Sequence, residues 1–210
     1  MINVLVIDDH SIIRKGIKQL FDDTPDIRVT GDAASGAEAL SLLRENRYHV
    51  ILLDISMPGE NGLEVLKKIR GHHPDVPVVI LSMYPEDQYA IRSLKSGAAG
   101  YLNKQGSLSQ LTAAVRQVAS GKKFISPETA MQLAENLTQR QNDLPHQLLS
   151  NREYQTLCLI ASGKRLSEIA QIMSLSAKTV SVYRARLLEK MSLRTNAELV
   201  HYAITHQLVL

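Results

Sequence analysis

Cys158 is the only cysteine in the 210 residues. A single thiol closes no internal disulfide and builds no Cys-rich zinc site, which excludes a secreted, disulfide-stapled fold and leaves the cytoplasm as the expected compartment. No apolar run approaches the roughly 18 residues needed to cross a bilayer. Met1 leads directly into the strand-like Ile2–Ile7, which is too short for a secretory h-region and runs at once into Asp8 and Asp9, so neither a signal segment nor a membrane partner is expected. No stretch has the spacing of a P-loop, so any phosphate the protein uses must come from a partner or a small donor.

What is present is ordinary globular composition, with 44% hydrophobic and 21% charged residues. That excludes a wholly disordered or collagen-like chain, and the length predicts one or two domains. The net charge of +3 is unevenly spread: residues 148–210 carry 8 Lys and Arg against 4 Asp and Glu, whereas residues 1–124 carry 15 against 14. The basic excess at the C-terminal end would suit a polyanion.

The first 120 residues alternate short apolar runs with amphipathic stretches. Ile2–Ile7, Arg28–Gly31, Val50–Leu53, Val78–Leu81 and Gly100–Leu102 read as five strands, most of them apolar throughout, as in strands buried on both faces. Between them, apolar residues repeat at spacings of three and four, as in Ile12, Ile13, Gly16, Ile17 and Leu20, or Leu108, Leu111, Val115 and Val118. Five βα units in succession predict an α/β fold, a five-stranded parallel doubly wound sheet over residues 1–124. Residues 125–147 read as a partly helical linker beginning at Ser126-Pro127-Glu128. Residues 148–210 contain no strand pattern. They predict an all-α module of four helices at about Asn151–Ala161, Leu166–Met173, Ala177–Met191 and Asn196–Thr205.

In a parallel sheet of this kind the ligand crevice lies at the carboxyl ends of the strands. Asp8 and Asp9 end the first strand and Asp54 the third, so three carboxylates converge on one rim. Crowded like charges raise one another's pKa unless a cation neutralises them, and an all-oxygen donor set suits Mg²⁺. One Asp at a strand-to-helix turn more often caps the next helix, but three on one rim predict a hard-metal site. Ser82 follows the fourth strand and Lys104 the fifth, bringing a hydroxyl and an ammonium to the same place. A phosphoryl group on Asp54 would find its charge stabilised there. Ser56 and Tyr84, two residues after Asp54 and Ser82, flank the path an attacking water must take.

These motifs, Val6-Ile7-Asp8-Asp9-His10, Leu52-Leu53-Asp54-Ile55-Ser56-Met57-Pro58-Gly59 with Gly62, Leu81-Ser82, and Gly97 to Lys104, strongly resemble the receiver domain of two-component response regulators. The flavodoxin-like resemblance implies that Asp54 is the phosphoacceptor, served by a histidine kinase or phosphotransfer protein. It further implies that Asp9, Asp54 and the main-chain carbonyl of Ser56 bind Mg²⁺, with Asp8 acting through water, and that Ser82 and Tyr101 form a switch pair in which the ring turns inward. Gln105 stands where members of the family often have proline. A cis bond before Gln would cost about 3 kcal/mol, against 0.5 to 1 for a prolyl bond.

In the helical segment, an apolar helix, a short Ser174-Leu175-Ser176 turn and a second helix bearing Lys178, Thr179, Ser181, Val182, Tyr183, Arg184, Ala185 and Arg186 suit insertion into the major groove of double-stranded DNA. Val180 and Leu187 are expected in the core. A four-helix module with a solvated basic face would read similarly. Leu149 to Glu153, Leu159 to Gly163, Glu168-Ile169-Ala170, Leu175-Ser176, Lys178-Thr179-Val180 and Glu198-Leu199 resemble the LuxR-type helix-turn-helix domain. Receiver plus LuxR-type domain is the arrangement of the NarL/FixJ class, and the second helix looks closest to the GacA/UvrY and BvgA/EvgA branches. The resemblance implies a transcriptional regulator rather than an enzyme, which dimerises on phosphorylation and then binds its operator, with RNA polymerase as a candidate partner. Two other functions fit parts of the pattern. A Mg²⁺-dependent phosphatase with Asp54 as nucleophile would need an acid/base carboxylate close behind it, where Ser56 stands, and an adaptor acting only through protein contacts would not bind DNA.

Overall fold

The computed structural model describes the whole chain except residues 58–59, 84–85, 128, 132–143, 207 and 210, and the side chains of 86–88. The chain divides into two compact units, Met1–Glu135 and Asn136–Leu210.

The first unit alternates strands β1 (Ile2–Ile7), β2 (Ile27–Ala33), β3 (Val50–Asp54), β4 (Val78–Ser82) and β5 (Gly100–Asn103) with helices α1 (Ser11–Asp22), α2 (Gly36–Glu45), α3 (Gly62–His72), α4 (Glu86–Lys95) and α5 (Leu108–Ala119). The sheet is parallel throughout, in the order β2-β1-β3-β4-β5. Strands β3 and β4 are buried along their full length because helices cover both faces. Each fully buried Val, Leu or Ile there contributes about 1.5–3 kcal/mol relative to exposure. The expected α/β architecture is therefore present. The edge strand β2 differs from the apolar pattern of its neighbours, alternating buried Ile27 and Val29 with exposed Arg28 and Thr30, because it is hydrogen-bonded on one side only. Ile12 and Leu108, which the periodicity places with their helices' apolar residues, are exposed.

The second unit is all-α. A 3₁₀ turn at Pro145–Leu148 precedes α6 (Asn151–Ala161), α7 (Leu166–Ile172), α8 (Ala177–Lys190) and α9 (Asn196–Thr205). Residues 145–147, read from sequence as the end of the linker, pack here: His146 Nδ1 lies 2.9 Å from the Tyr202 hydroxyl on α9. Acidic side chains fasten the helix starts. Glu153, Glu168 and Glu198 accept the main-chain N–H of Ser150, Arg165 and Arg194 at 2.7, 2.7 and 2.6 Å, and Ser150 and Thr195 complete reciprocal capping boxes. The turns after α7 and α8 repeat one device. Met173-Ser174-Leu175 and Met191-Ser192-Leu193 both put the serine at positive φ, 51° and 56°. In each the following leucine N–H returns to a carbonyl five residues earlier, Ala170 at 2.8 Å and Leu188 at 2.9 Å.

Candidate functional site

The rim of the first sheet assembles the acidic residues from separate strands. Asp8 follows β1 and Asp54 ends β3, next to each other in the sheet order, and both are 1% exposed. Behind Asp54, Gly62 N–H donates to Ile55 O at 2.9 Å, and the Asn61 side chain accepts the Leu63 N–H at 2.8 Å to start α3. A Cβ on Gly62 would lie 2.0 Å from the Asp54 carbonyl oxygen, so only glycine lets this helix begin against the strand that carries Asp54.

Lys104 crosses from the β5–α5 turn into the acidic cluster. Its main-chain N–H donates to Ser82 O at 2.7 Å, and Asn103 Oδ1 closes the turn by accepting the Gln105 N–H at 2.8 Å. No peptide is cis among the described residues, so the Lys104–Gln105 bond is trans. The Lys104 ammonium lies 2.6 Å from Asp8 Oδ2 and 2.9 Å from Asp54 Oδ2, with both ends of each pair nearly sealed from solvent. Burial pushes the Asp54 carboxyl above its usual range; Lys104 and the Ser56 N–H pull it back, the negative charge of Asp8 raises it further, and the net shift is upward.

The fit to a hard cation can be judged from the oxygens. Asp9 Oδ1 and Asp54 Oδ2 are buried and met only by His10 Nδ1 at 3.0 Å and the Lys104 ammonium at 2.9 Å among the described ion pairs. With Asp8 beside them, three carboxylates share the one fixed ammonium, an excess of negative charge and of hard oxygen donors that suits an ion such as Mg²⁺. Ser82 is fully buried at the end of β4, and Tyr101 on β5 is 2% exposed, its ring already inward. Ser56 is half-buried and donates its N–H to Asp54 Oδ1 at 3.1 Å. Tyr84, and Pro58-Gly59 of the motif, lie outside the described residues.

Sequence reasoning gave no role to two residues on α1 and the turn before it. Arg14 donates to the main-chain carbonyl of Asp8 at 2.7 Å and to the Asp32 carboxylate at 2.8 Å, tying the β1 rim to β2. His10 Nδ1 stands 3.1 and 3.0 Å from Asp8 Oδ1 and Asp9 Oδ1. A histidine directly behind the paired aspartates was the signal available for the second.

In the helical unit, the eight candidate residues of α8 separate by orientation. Val180 and Leu187 are fully buried, so the opposite face, Lys178, Ser181, Val182 and Ala185, is exposed, with Arg186 exposed beside it. Thr179, Tyr183 and Arg184 are half-buried, and the Arg184 guanidinium donates to Asn196 Oδ1 at 2.6 Å, toward the start of α9. Val182, 43% exposed, is a large apolar side chain on an otherwise polar or small face.

Residues 4–116 match the response regulator receiver domain family, and residues 147–203 match the luxR family of bacterial regulatory proteins. The response regulator GacA of Pseudomonas protegens is 40% identical over 209 residues, covering 100% of this chain and 98% of the relative. UvrY of Escherichia coli is 37% identical over 209 residues, covering 99% and 96%. A solved structure of the Salmonella typhimurium response regulator RcsB superposes with a TM-score of 0.69 at 26% identity, covering 100% of this chain and 98% of that one. RcsB from the same species, bound to promoter rprA in the presence of the phosphomimetic BeF₃⁻, gives 0.63 at 25% identity, covering 96% and 98%. The chain belongs to the NarL/FixJ class of two-component response regulators, a receiver domain followed by a LuxR-type DNA-binding domain.

Proposed function

We propose that the protein is a phosphorylation-controlled transcription regulator in which Asp54 accepts a phosphoryl group from a phosphohistidine of a kinase or phosphotransfer partner. An Asp54 carboxylate oxygen attacks phosphorus, the O–P bond forms as the N–P bond breaks, and the departing imidazole takes up a proton. Asp9, Asp54 and the Ser56 carbonyl are the groups that would hold Mg²⁺, with Asp8 reaching it through water. The ion would neutralise charge on the transferred group. Lys104 and the Ser82 hydroxyl take the remaining phosphoryl oxygens. Lys104, now shared between Asp8 and Asp54, thereby trades one anion for another, and Tyr101 holds its inward place behind Ser82.

The output is DNA binding by α8, whose exposed Lys178–Ala185 face enters the major groove while Arg186 contacts the backbone and Arg184 holds α8 to α9. One helix-turn-helix reads one half-site, so phosphorylation raises affinity by favouring a homodimer on a two-fold operator. The protein acts in the cytoplasm and is not itself an enzyme. The observation that carries the reading is the sealed contact of Asp54 with Lys104 beside two further aspartates. Intact-mass spectrometry after incubation with acetyl phosphate and Mg²⁺ tests it: the wild type gains one phosphate, whereas Asp54→Asn, with a poor nucleophile, gains none. Equal phosphorylation of the variant would move the acceptor elsewhere.

A further inference from the structure

His10 belongs to the cluster that the metal reading leaves unused. One ligand atom each from Asp8, Asp9, His10 and Asp54 lie within 4.8 Å of one another. His10 Nδ1 is 3.0 Å from Asp9 Oδ1 and 3.1 Å from Asp8 Oδ1. Donors about 3 Å apart form the edge of an octahedron whose bonds are about 2.1 Å long.

The backbone holds the ring there. The His10 N–H donates to Asp8 Oδ1 at 2.8 Å, and although His10 occupies the N-cap position of α1 its side chain makes no capping bond. The imidazole is therefore turned to the carboxylates and not to the helix. The fixed cations nearby are engaged with groups other than the Asp9 carboxylate: Lys104 with Asp8 and Asp54 inside the cluster, and Arg14 with Asp32 and the Asp8 carbonyl. Among the described ion pairs, only His10 meets the Asp9 carboxylate.

We propose that His10 is a direct ligand of the divalent ion, which makes this a mixed nitrogen-and-oxygen site that favours first-row transition ions over Mg²⁺. The inference rests on the metal reading of Asp9 and Asp54. Imidazole nitrogen strengthens binding of ions from Fe²⁺ to Zn²⁺, whereas Mg²⁺ gains little when nitrogen replaces a water oxygen. The side chain is 56% exposed, so replacing it leaves the core untouched.

The test uses the full-length, chelator-treated protein with Co²⁺ and Mg²⁺ as probes, in calorimetric titrations of wild type, His10→Ala and His10→Gln, with circular dichroism confirming that the variants fold. In His10→Ala, Co²⁺ affinity falls about tenfold while Mg²⁺ affinity stays within twofold, and His10→Gln behaves alike. The wild-type cobalt complex gives a strongly shifted exchangeable imidazole proton in its NMR spectrum, which His10→Ala lacks. Unchanged Co²⁺ affinity in both variants, equal losses for the two ions, or persistence of the shifted proton would overturn the role of His10 and leave the Asp9–Asp54 site standing. A wild type that binds neither ion would instead overturn the metal reading, and this inference with it.

Discussion

Asp54 of the receiver and Glu153 of the helical unit are both nearly sealed from solvent, yet the pKa of the first is raised and that of the second lowered. Burial is the largest influence on each and acts upward on both. The partners decide the sign. Glu153 accepts a hydrogen bond from the Lys190 ammonium at 2.7 Å and from the Ser150 N–H at 2.7 Å, and no like charge among the described residues raises it. Asp54 shares its ammonium with Asp8 and feels that residue's charge. A carboxylate that braces a fold is given its own partners, whereas the one proposed here to react is left to share them, at a cost to stability.

The comparison breaks most visibly at Glu153. Glu153→Ala removes the capping acceptor of α6 and leaves Lys190 without its partner at the end of α8, so the helical unit should lose about 2–3 kcal/mol in denaturant titrations. Phosphorylation of Asp54 should be unaffected. A loss below about 0.5 kcal/mol would mean that the pair of Glu153 with Lys190 does not brace the unit.

Asp54→Asn should act in the opposite direction. Removing one of the crowded charges relieves the desolvation and the repulsion from Asp8, so the receiver should gain on the order of 1 kcal/mol at neutral pH, about 2–4 °C in Tm. The pH dependences sharpen the contrast. Glu153 has a folded pKa below its ordinary 4.5, so its contribution is complete above that value and drains away as pH falls through the folded pKa. Asp54 has a folded pKa above its ordinary 3.8, so its ionisation costs stability, and the receiver recovers that cost as pH falls through the folded value. Thermal melts from pH 3 to 7 should show the first slope vanish in Glu153→Gln and the second in Asp54→Asn.

A smaller effect belongs to the paired turns of the helical unit. Ser174→Gly and Ser192→Gly place the one residue without a Cβ at positive φ, and each should stabilise by about 0.5–1 kcal/mol. Destabilisation by either, measured in urea, would mean that the serine side chain itself holds its turn.

Much of this was legible in the sequence because strong local signals agreed with the fold. The apolar runs of β3 and β4 could be nothing but buried strands, and Asp54, Ser82 and Lys104 stand at strand ends, where a parallel sheet gathers its ligands. Three of the four helices described in the second unit begin where Ser150, Ser176 and Thr195 can cap them. What escaped depends on direction in space. Periodicity put Ile12 with Ile13 and Ile17 but could not tell that it stands free. Nor could the run from Lys178 to Arg186 say that Arg184 reaches Asn196, because that bond joins two helices across a turn. His10 was visible as a letter beside two aspartates, but its approach to both carboxylates follows from the backbone of the turn.

The most direct test of the account is the coupling between the receiver and DNA. Fluorescence anisotropy should be followed on a genomic fragment recovered by crosslinking and sequencing, with wild type and Asp54→Asn, each with and without acetyl phosphate and Mg²⁺, at several salt concentrations. The account predicts at least a tenfold tightening by phosphorylation in the wild type and none in the variant. Arg186→Ala should lower the magnitude of the log-log salt slope of the phosphorylated form by about 0.9, the loss of one neutralised DNA phosphate. Tight binding that ignores the phosphorylation state, or that rises equally in Asp54→Asn, would contradict control of the α8 face by Asp54.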